Sequence, residues 1–168
     1  MATTQATNLL ELQQMYMSLL NQALDLTMET ALDKLKSIIQ KNVYEDYSDI
    51  PWAEMRYRTG QFKESWEKTK AEIKGAFSEC EISQNISTMV FNTIHTVWGD
   101  ANVHEDADNL AEIIETGNGY NFGSMNGISR DFWNEFEQWC DSNIEDEFYK
   151  SCRIIGLPIT SIASFVMV

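Results

Sequence analysis

The chain has few of the residues on which catalysis and covalent bracing depend: two histidines, three cysteines and two prolines in 168 positions. Cys80, Cys140 and Cys152 are odd in number and lack CxxC spacing, which suggests neither a disulfide framework nor a zinc site. Reduced, mostly buried thiols are expected. No stretch reaches the ~18 uncharged apolar residues that a bilayer crossing needs, and residues 1–14 lack a basic region leading into an apolar run. No membrane partner is expected, and a cytoplasm is the expected place of synthesis. The formal glycosylation sequon Asn85-Ile86-Ser87 is therefore expected to be silent.

Basic residues are also scarce, and the formal net charge is −14. Residues 1–99 hold 13 acids and 9 bases, whereas residues 100–150 hold 13 acids with only Arg130 and Lys150. Such a surface repels phosphate backbones, so direct grip on DNA, RNA or an anionic membrane is not expected. The acidity is either a solvated face or a functional one.

The search for chemistry finds little. His95 and His104 stand nine apart with Asp100, Glu105, Asp106 and Asp108 nearby, a spacing that matches no metal-ligand pattern. There is no GxSxG elbow, and no signature ties Cys140 or Cys152 to a histidine. The glycine-rich run from Gly117 to Gly127 lacks both the GK[ST] ending of a phosphate loop and the strand-then-helix context of GxGxxG, and reads as a flexible connection. A glycosidase-like carboxylate pair cannot be picked out from one sequence. No catalytic residue, metal or cofactor is expected, and a hydrolase using His104 and its neighbouring carboxylates is the least favoured reading.

What is present is periodicity. The composition, 43% hydrophobic and 11% aromatic, is that of a globular chain, and its length suits one domain, residues 1–168, with a core that needs no covalent brace. From Leu9 to Lys41 apolar residues recur at helical spacing, with Asn8 and Glu11 placed as a capping box and Lys41-Asn42 as a stop. This is either one helix of about 50 Å at a rise of about 1.5 Å per residue, or two helices broken near Asp25–Thr27. In the first case residues 1–27 form a projecting helical arm; the alternative is an ordinary core helix. Asn42–Pro51 reads as a loop, and Gly60 as a break before Phe62 and Trp66. Two or three antiparallel strands are expected within residues 66–98, notably over Ile82–Ile86 and Thr88–Val97, ended by Gly99-Asp100. Phe132, Phe136, Trp139, Cys140, Ile144, Phe148, Cys152 and Ile155 predict a second helix, stopped by Gly156 and Pro158. Residues 157–168 carry no charged side chain and predict an apolar strand or arm, buried in its own sheet or against a neighbouring subunit. The expected class is α+β: a small antiparallel sheet flanked by a long N-terminal helix and a C-terminal helix.

A helix and three segments after it, taken in order, resemble the minor tail or tail-completion proteins that join head and tail in long-tailed bacteriophages. That family shows an amphipathic helix, a Thr-Gly followed by an LxxS stretch, strands, a YAxxVExGT segment and a closing helix introduced by RPFxxPA. The helix corresponds to Ala31–Val43, the second element to Tyr57–Trp66 with Arg58, Thr59, Gly60 and Phe62, and the third to Asn109–Gly117 with Ile113, Glu115, Thr116 and Gly117. The last corresponds to Arg130, Asp131 and Phe132, running on to Phe136. The match covers about residues 28–152; Asp131 and Glu135 replace the two prolines of the last motif, and Leu110 replaces the tyrosine of the third.

The resemblance implies a homo-oligomeric ring at the neck or tail of a virion, assembled in the host cytoplasm beside other neck and tail proteins. DNA would pass through its channel without specific binding, a passage that a carboxylate-rich lumen favours by repulsion. It further implies that Arg58 and Arg130 pair with carboxylates to fix motif geometry or subunit contacts, and that apolar arms are buried by neighbours. The alternative class is an acidic intracellular adaptor, or an inhibitor that mimics nucleic acid for a DNA-binding protein.

Overall fold

Asn8 opens the first helix because its Oδ1 accepts the Glu11 N–H at 2.9 Å, filling one of the donors that a helix start leaves unpaired. In the computed structural model, which describes residues 8–45, 60–75, 77–89, 94–96, 99–101, 110–117 and 129–157, helix α1 then runs unbroken from Leu9 to Ile39. Its 31 residues span about 46 Å at about 1.5 Å per residue. Of the two readings at Asp25–Thr27, the continuous helix is the one observed. Thr27 does not open it, because its hydroxyl donates to the Ala23 carbonyl one turn back at 2.8 Å, and Thr30 does the same to Leu26.

The expected stop at Lys41-Asn42 is overrun, since a π-helical turn, Gln40–Glu45, carries the chain onward before any loop. The reason is burial: Ala23, Thr27, Ala31, Leu35, Ile39 and Val43 form one buried row at steps of four, and Val43 keeps that row going. Residues 46–51, the rest of the expected loop, lie outside the described residues.

Helix α4, Phe132–Ile154, repeats the device with Phe132, Phe136, Cys140, Ile144, Phe148 and Cys152 buried at steps of four. Rows at i±4 are the ridges through which packed helices interdigitate. Its end is a Schellman motif. Gly156 adopts φ 77°, the Leu157 N–H reaches the Cys152 carbonyl at 2.8 Å and the Gly156 N–H reaches Arg153 at 3.2 Å. Between these helices lie a four-residue helix α2, Gln61–Glu64, and a seven-residue helix α3, Leu110–Thr116.

The α+β class holds, with small antiparallel sheets between a long N-terminal and a C-terminal helix. The strand count differs from expectation. Among the described residues six three-residue strands, β1 Trp66–Lys68, β2 Glu72–Lys74, β3 Phe77–Glu79, β4 Ile82–Gln84, β5 Ile94–Thr96 and β6 Gly99–Ala101, form three two-stranded ladders. The tight β2–β3 hairpin, in register Glu72↔Glu79, is nested inside the β1–β4 pair. Gly75 at φ 68° begins its two-residue turn, where a positive φ matches the twist of the flanking strands. Thr88–Val97 is not one strand: a 3-10 turn occupies Ile86–Thr88, and Gly99-Asp100 belongs to β6 instead of ending the sheet. β-Branched residues mark extended backbone without marking where it turns, and Gly99 pairs with Thr96 across a hairpin.

The chain divides into two compact units, residues 1–32, 68–82 and 139–168 in the first, and residues 33–67 and 83–138 in the second. In the first unit Ala23, Phe148, Cys152 and Leu157 form the core, with Leu19, Leu20, Leu24 and Ile155 packed around it. Three polar side chains of α1 fasten this unit. The Thr27 and Ser151 hydroxyls share a hydrogen bond at 3.0 Å, Asn21 donates to the Ala71 carbonyl at 2.6 Å, and Asp25 accepts from Lys68 Nζ at 2.6 Å and from the Ala71 N–H at 3.3 Å. The Lys68 hydrogen bond holds the Asp25 carboxyl below its ordinary range. The start of α1 is bare: Leu9 is 79% exposed, Leu10 65%, and Leu12 and Tyr16 43% each. Residues 158–168, and with them the expected apolar arm, lie outside the described residues.

Candidate functional site

Within the second unit the motif residues singled out by sequence come together around one ring. Phe132, 1% exposed at the first position of α4, meets Phe62 edge-on with centroids 5.4 Å apart, and Trp66 at 6.1 Å. Trp66 in turn stacks on Trp133 at 5.3 Å, and Trp133 touches Phe136 at 5.5 Å. Five aromatic rings from α2, β1 and α4 thus make one knot. Edge-to-face and offset-stacked geometries are the favoured ones for such rings, each worth about 0.5–1.5 kcal/mol beyond area burial.

Gly60 and Ser65 place the first part of the knot. Gly60 takes φ 79° ahead of α2, a conformation that side-chain-bearing residues rarely adopt, and its carbonyl accepts the Glu64 N–H at 3.1 Å. Ser65, 1% exposed, donates to the Phe62 carbonyl at 2.8 Å, accepts from Gln84 Nε2 at 3.2 Å, and its own carbonyl takes the Asn85 N–H at 2.7 Å. One buried serine therefore ties α2 to the end of β4. At the surface, Glu64 pairs with Lys36 at 3.3 Å, and the Lys36 hydrogen bond lowers the pKa of this carboxyl.

Glu115 joins the third and fourth motif segments. Its Oε2 accepts the Trp133 N–H at 2.8 Å and its Oε1 the Asn134 N–H at 3.2 Å, so a carboxylate occupies the donors of the first turn of α4. Negative charge is favourable there, because a helix start carries partial positive charge. The backbone supports this contact. The Arg130 N–H reaches the Ile114 and Glu115 carbonyls at 3.1 and 3.2 Å, and Ser129 Oγ donates to the Glu115 carbonyl at 2.5 Å. Gly117, at φ 71°, ends α3 by donating to the Ile113 carbonyl at 2.9 Å, while Thr116 Oγ1 returns to Glu112 at 2.8 Å.

Asp131 stands immediately before α4 at φ 41°, and its Oδ1 accepts from Asn134 Nδ2 at 3.1 Å. The aspartate that replaces a motif proline thus sits in a left-handed conformation which proline, with φ fixed near −65°, cannot adopt. Glu135, at the second proline position, accepts from Asn42 at 2.8 Å and Lys41 at 3.2 Å, and the Asn42 bond lowers its pKa. Arg130 is buried, 8% exposed.

Of the residues singled out by sequence, Gly60, Phe62, Ile113, Glu115, Thr116, Gly117, Arg130, Asp131 and Phe132 all belong to this unit, whereas Arg58 and Thr59 lie outside the described residues. Sequence reading missed Ser65, Asn42 and the stacking partner Trp133. A serine ending an LxxS-like stretch was a visible signal; the asparagine carried none. All three cysteines are free, with Cys140 and Cys152 buried and Cys80 half-buried, and burial pushes the Cys80 and Cys152 thiols up. Among the described residues no group of three or more His, Cys, Asp or Glu is placed to hold a metal, and no helix is long and apolar enough to cross a membrane. His104, Glu105, Asp106 and Asp108 lie outside the described residues.

The knot's carboxylates are engaged by helix N–H groups, lysines and an amide, and its serine by backbone and amide partners. Neither a curated protein nor a solved structure matches the chain. The YomN family model matches residues 8–150, a span that takes in the whole of the knot and most of both long helices, and the chain belongs to the YomN family.

Proposed function

We propose that the chain is a non-enzymatic structural protein of a phage virion, one subunit of a homo-oligomeric ring at the neck or tail that joins or completes the tail around the DNA channel. One observation carries this reading: the three segments that resemble tail-completion proteins, far apart in sequence, converge on Phe132 and Glu115 in a single unit. A chance likeness of separate short motifs gives no reason for such convergence. Family membership is a second support, since YomN is a protein of a Bacillus phage region of the SPbeta or skin-like kind. The acidic balance is compatible with a channel that lets DNA pass without gripping it. The test is a mass-spectrometric inventory of purified phage particles, with and without the gene. The chain is expected in particles at a fixed ratio to the tail proteins, and its loss should leave heads and tails unjoined or tails unfinished. Normal, infectious particles that lack it would contradict the proposal.

A second reading is favoured by α4, where Glu137, Asp141, Glu145 and Asp146 are all exposed with no basic residue among them. On this reading the acidic helix face occupies the nucleic-acid site of a DNA-binding partner. Capture of a basic partner that DNA displaces in competition would support it. Capture that DNA leaves unchanged would end it.

A further inference from the structure

The β2–β3 hairpin of the first unit has an outer edge that is capped at one residue and open at the next. Beside its two-residue turn the flanking pair Lys74↔Phe77 exchanges both backbone hydrogen bonds, and in an antiparallel ladder such pairs alternate with pairs that exchange none. Glu72↔Glu79 is therefore bonded as well, and Ile73↔Ser78 is not. It follows that the N–H and C=O of Ile73 face away from β3, as do those of Ala71 two residues earlier.

These two outward residues have different surroundings. At Ala71, 3% exposed, helix α1 fills the edge: Asp25 Oδ1 accepts the N–H at 3.3 Å, and Asn21 Nδ2 donates to the C=O at 2.6 Å. Glu72, Ile73 and Lys74 are all exposed, Ile73 by 47%, so α1 has left the edge by that point. Neither outward group of Ile73 has a partner among the described residues, where β3 is the one strand paired with β2. An open edge of this kind is a template for a further strand.

The side chains select which strand fits. Glu72 and Lys74 flank Ile73 on the opposite face of β2, their Oε2 and Nζ 3.3 Å apart. Antiparallel pairing of β2 with a second β2, about a two-fold axis at Ile73, sets each Glu72 opposite the other copy's Lys74. It also lets the two Ile73 backbones exchange both of their outward hydrogen bonds. Moving the axis to Glu72 or to Lys74 sets like charges opposite each other, which is unfavourable, and moving it to Ala71 meets the groups that Asn21 and Asp25 occupy. Within the hairpin Glu72 already stands opposite Glu79, and a lysine on its other side offsets that like-charge pair.

We infer that the open edge of β2 is an interaction surface for β2 of a second copy, joining two hairpins into one four-stranded sheet centred on Ile73. A second copy is the occupant because the edge sequence Glu72-Ile73-Lys74 is its own charge complement when reversed. Such a two-fold contact closes on itself, so it goes beyond the ring reading and does not rest on it. Three residues per copy make a small contact, and the pair therefore forms in proportion to protein concentration.

The test is the mass of the full chain by sedimentation over rising concentration, with the variants Glu72→Lys and Lys74→Glu. The parent should give a species with twice the copies of the one present at low concentration. Each single variant opposes like charges twice per pair and should weaken this doubling by about tenfold or more. The double variant Glu72→Lys, Lys74→Glu should recover it, and so should an equimolar mixture of the two single variants, since each supplies the charge that the other lacks. Recovery in the mixture also shows that both variants are folded. No doubling in the parent, or single variants that double as the parent does, would overturn the inference. Impaired single variants that neither the exchange nor the mixture restores would overturn it as well. None of these outcomes decides the ring reading, which the content of phage particles tests.

Discussion

The two compact units use polar side chains in different ways. In the first, Asn21, Asp25 and Thr27 project from the middle of α1 and fasten Lys68, Ala71 and α4 to it, over a core of aliphatic, sulfur and phenyl groups. In the second, Glu115 closes the start of α4 over a knot of five rings. A polar group in mid-helix selects which neighbour docks and in what register. A polar group at a helix end fixes where the element begins, and here it positions the buried ring of Phe132 as well.

Removing that ring should have the largest effect. Phe132→Ala is expected to cost about 3–5 kcal/mol, the usual range for truncating a buried aromatic residue. Urea unfolding measures the cost, and loss of amide protection in residues 61–66 and 132–136 places it. A cost under about 1 kcal/mol would show that the knot is not a core. Next is Thr27→Val, which keeps the shape of the side chain but leaves the buried Ser151 hydroxyl without this 3.0 Å bond, at about 1–3 kcal/mol. Adding Ser151→Ala should recover part of that loss. Strictly additive costs would remove the hydroxyl pair from the account of the first unit.

Glu115→Ala should cost about 1–2 kcal/mol, the range for losing a helix-start acceptor, with Glu115→Gln in between because one of its two acceptor oxygens becomes a donor. A glutamine variant as stable as the parent would show that charge at the helix start contributes nothing. The smallest effect is that of pH. Asp25 and Glu135 have folded-state pKa values lowered by Lys68 and Asn42 respectively. Their contribution is therefore present above the ordinary carboxylate pKa and is lost as pH falls through the lowered folded value. Melting temperature should drop on acidification below about pH 4, and Asp25→Asn should make that drop shallower. Lys68 and Asp25 are partly exposed, so their pair is worth at most about 1 kcal/mol.

Much of the fold was legible because burial imposes a period. The rows from Ala31 to Ile39 and from Phe132 to Cys152 are visible at steps of four before any coordinates exist, and Gly156 marks the end of α4 as a glycine-closed helix should. What was not legible depends on partners remote in sequence. Asp25 and Thr27 look like a helix break because, taken locally, short polar side chains compete with helix hydrogen bonds. Their partners Lys68 and Ser151 lie 43 and 124 positions away and remove that competition. The strands were misread for a related reason. β-branched residues mark extended backbone but not where it turns, and three-residue strands leave almost no alternation to count. Among the candidate residues, Gly60, Gly117 and Phe132 were identifiable from motif position, and the two glycines indeed adopt positive φ. Glu115 was singled out too, but its role as the carboxylate under α4 required the fold.

We propose an assembling subunit and not a solitary enzyme or adaptor. The native mass of the full chain, measured by sedimentation or native mass spectrometry across a wide range of protein concentration, tests it most directly. A ring subunit should give one closed oligomer with a fixed number of copies, persisting on dilution until it falls apart as a unit. A monomer at every concentration reached would contradict it.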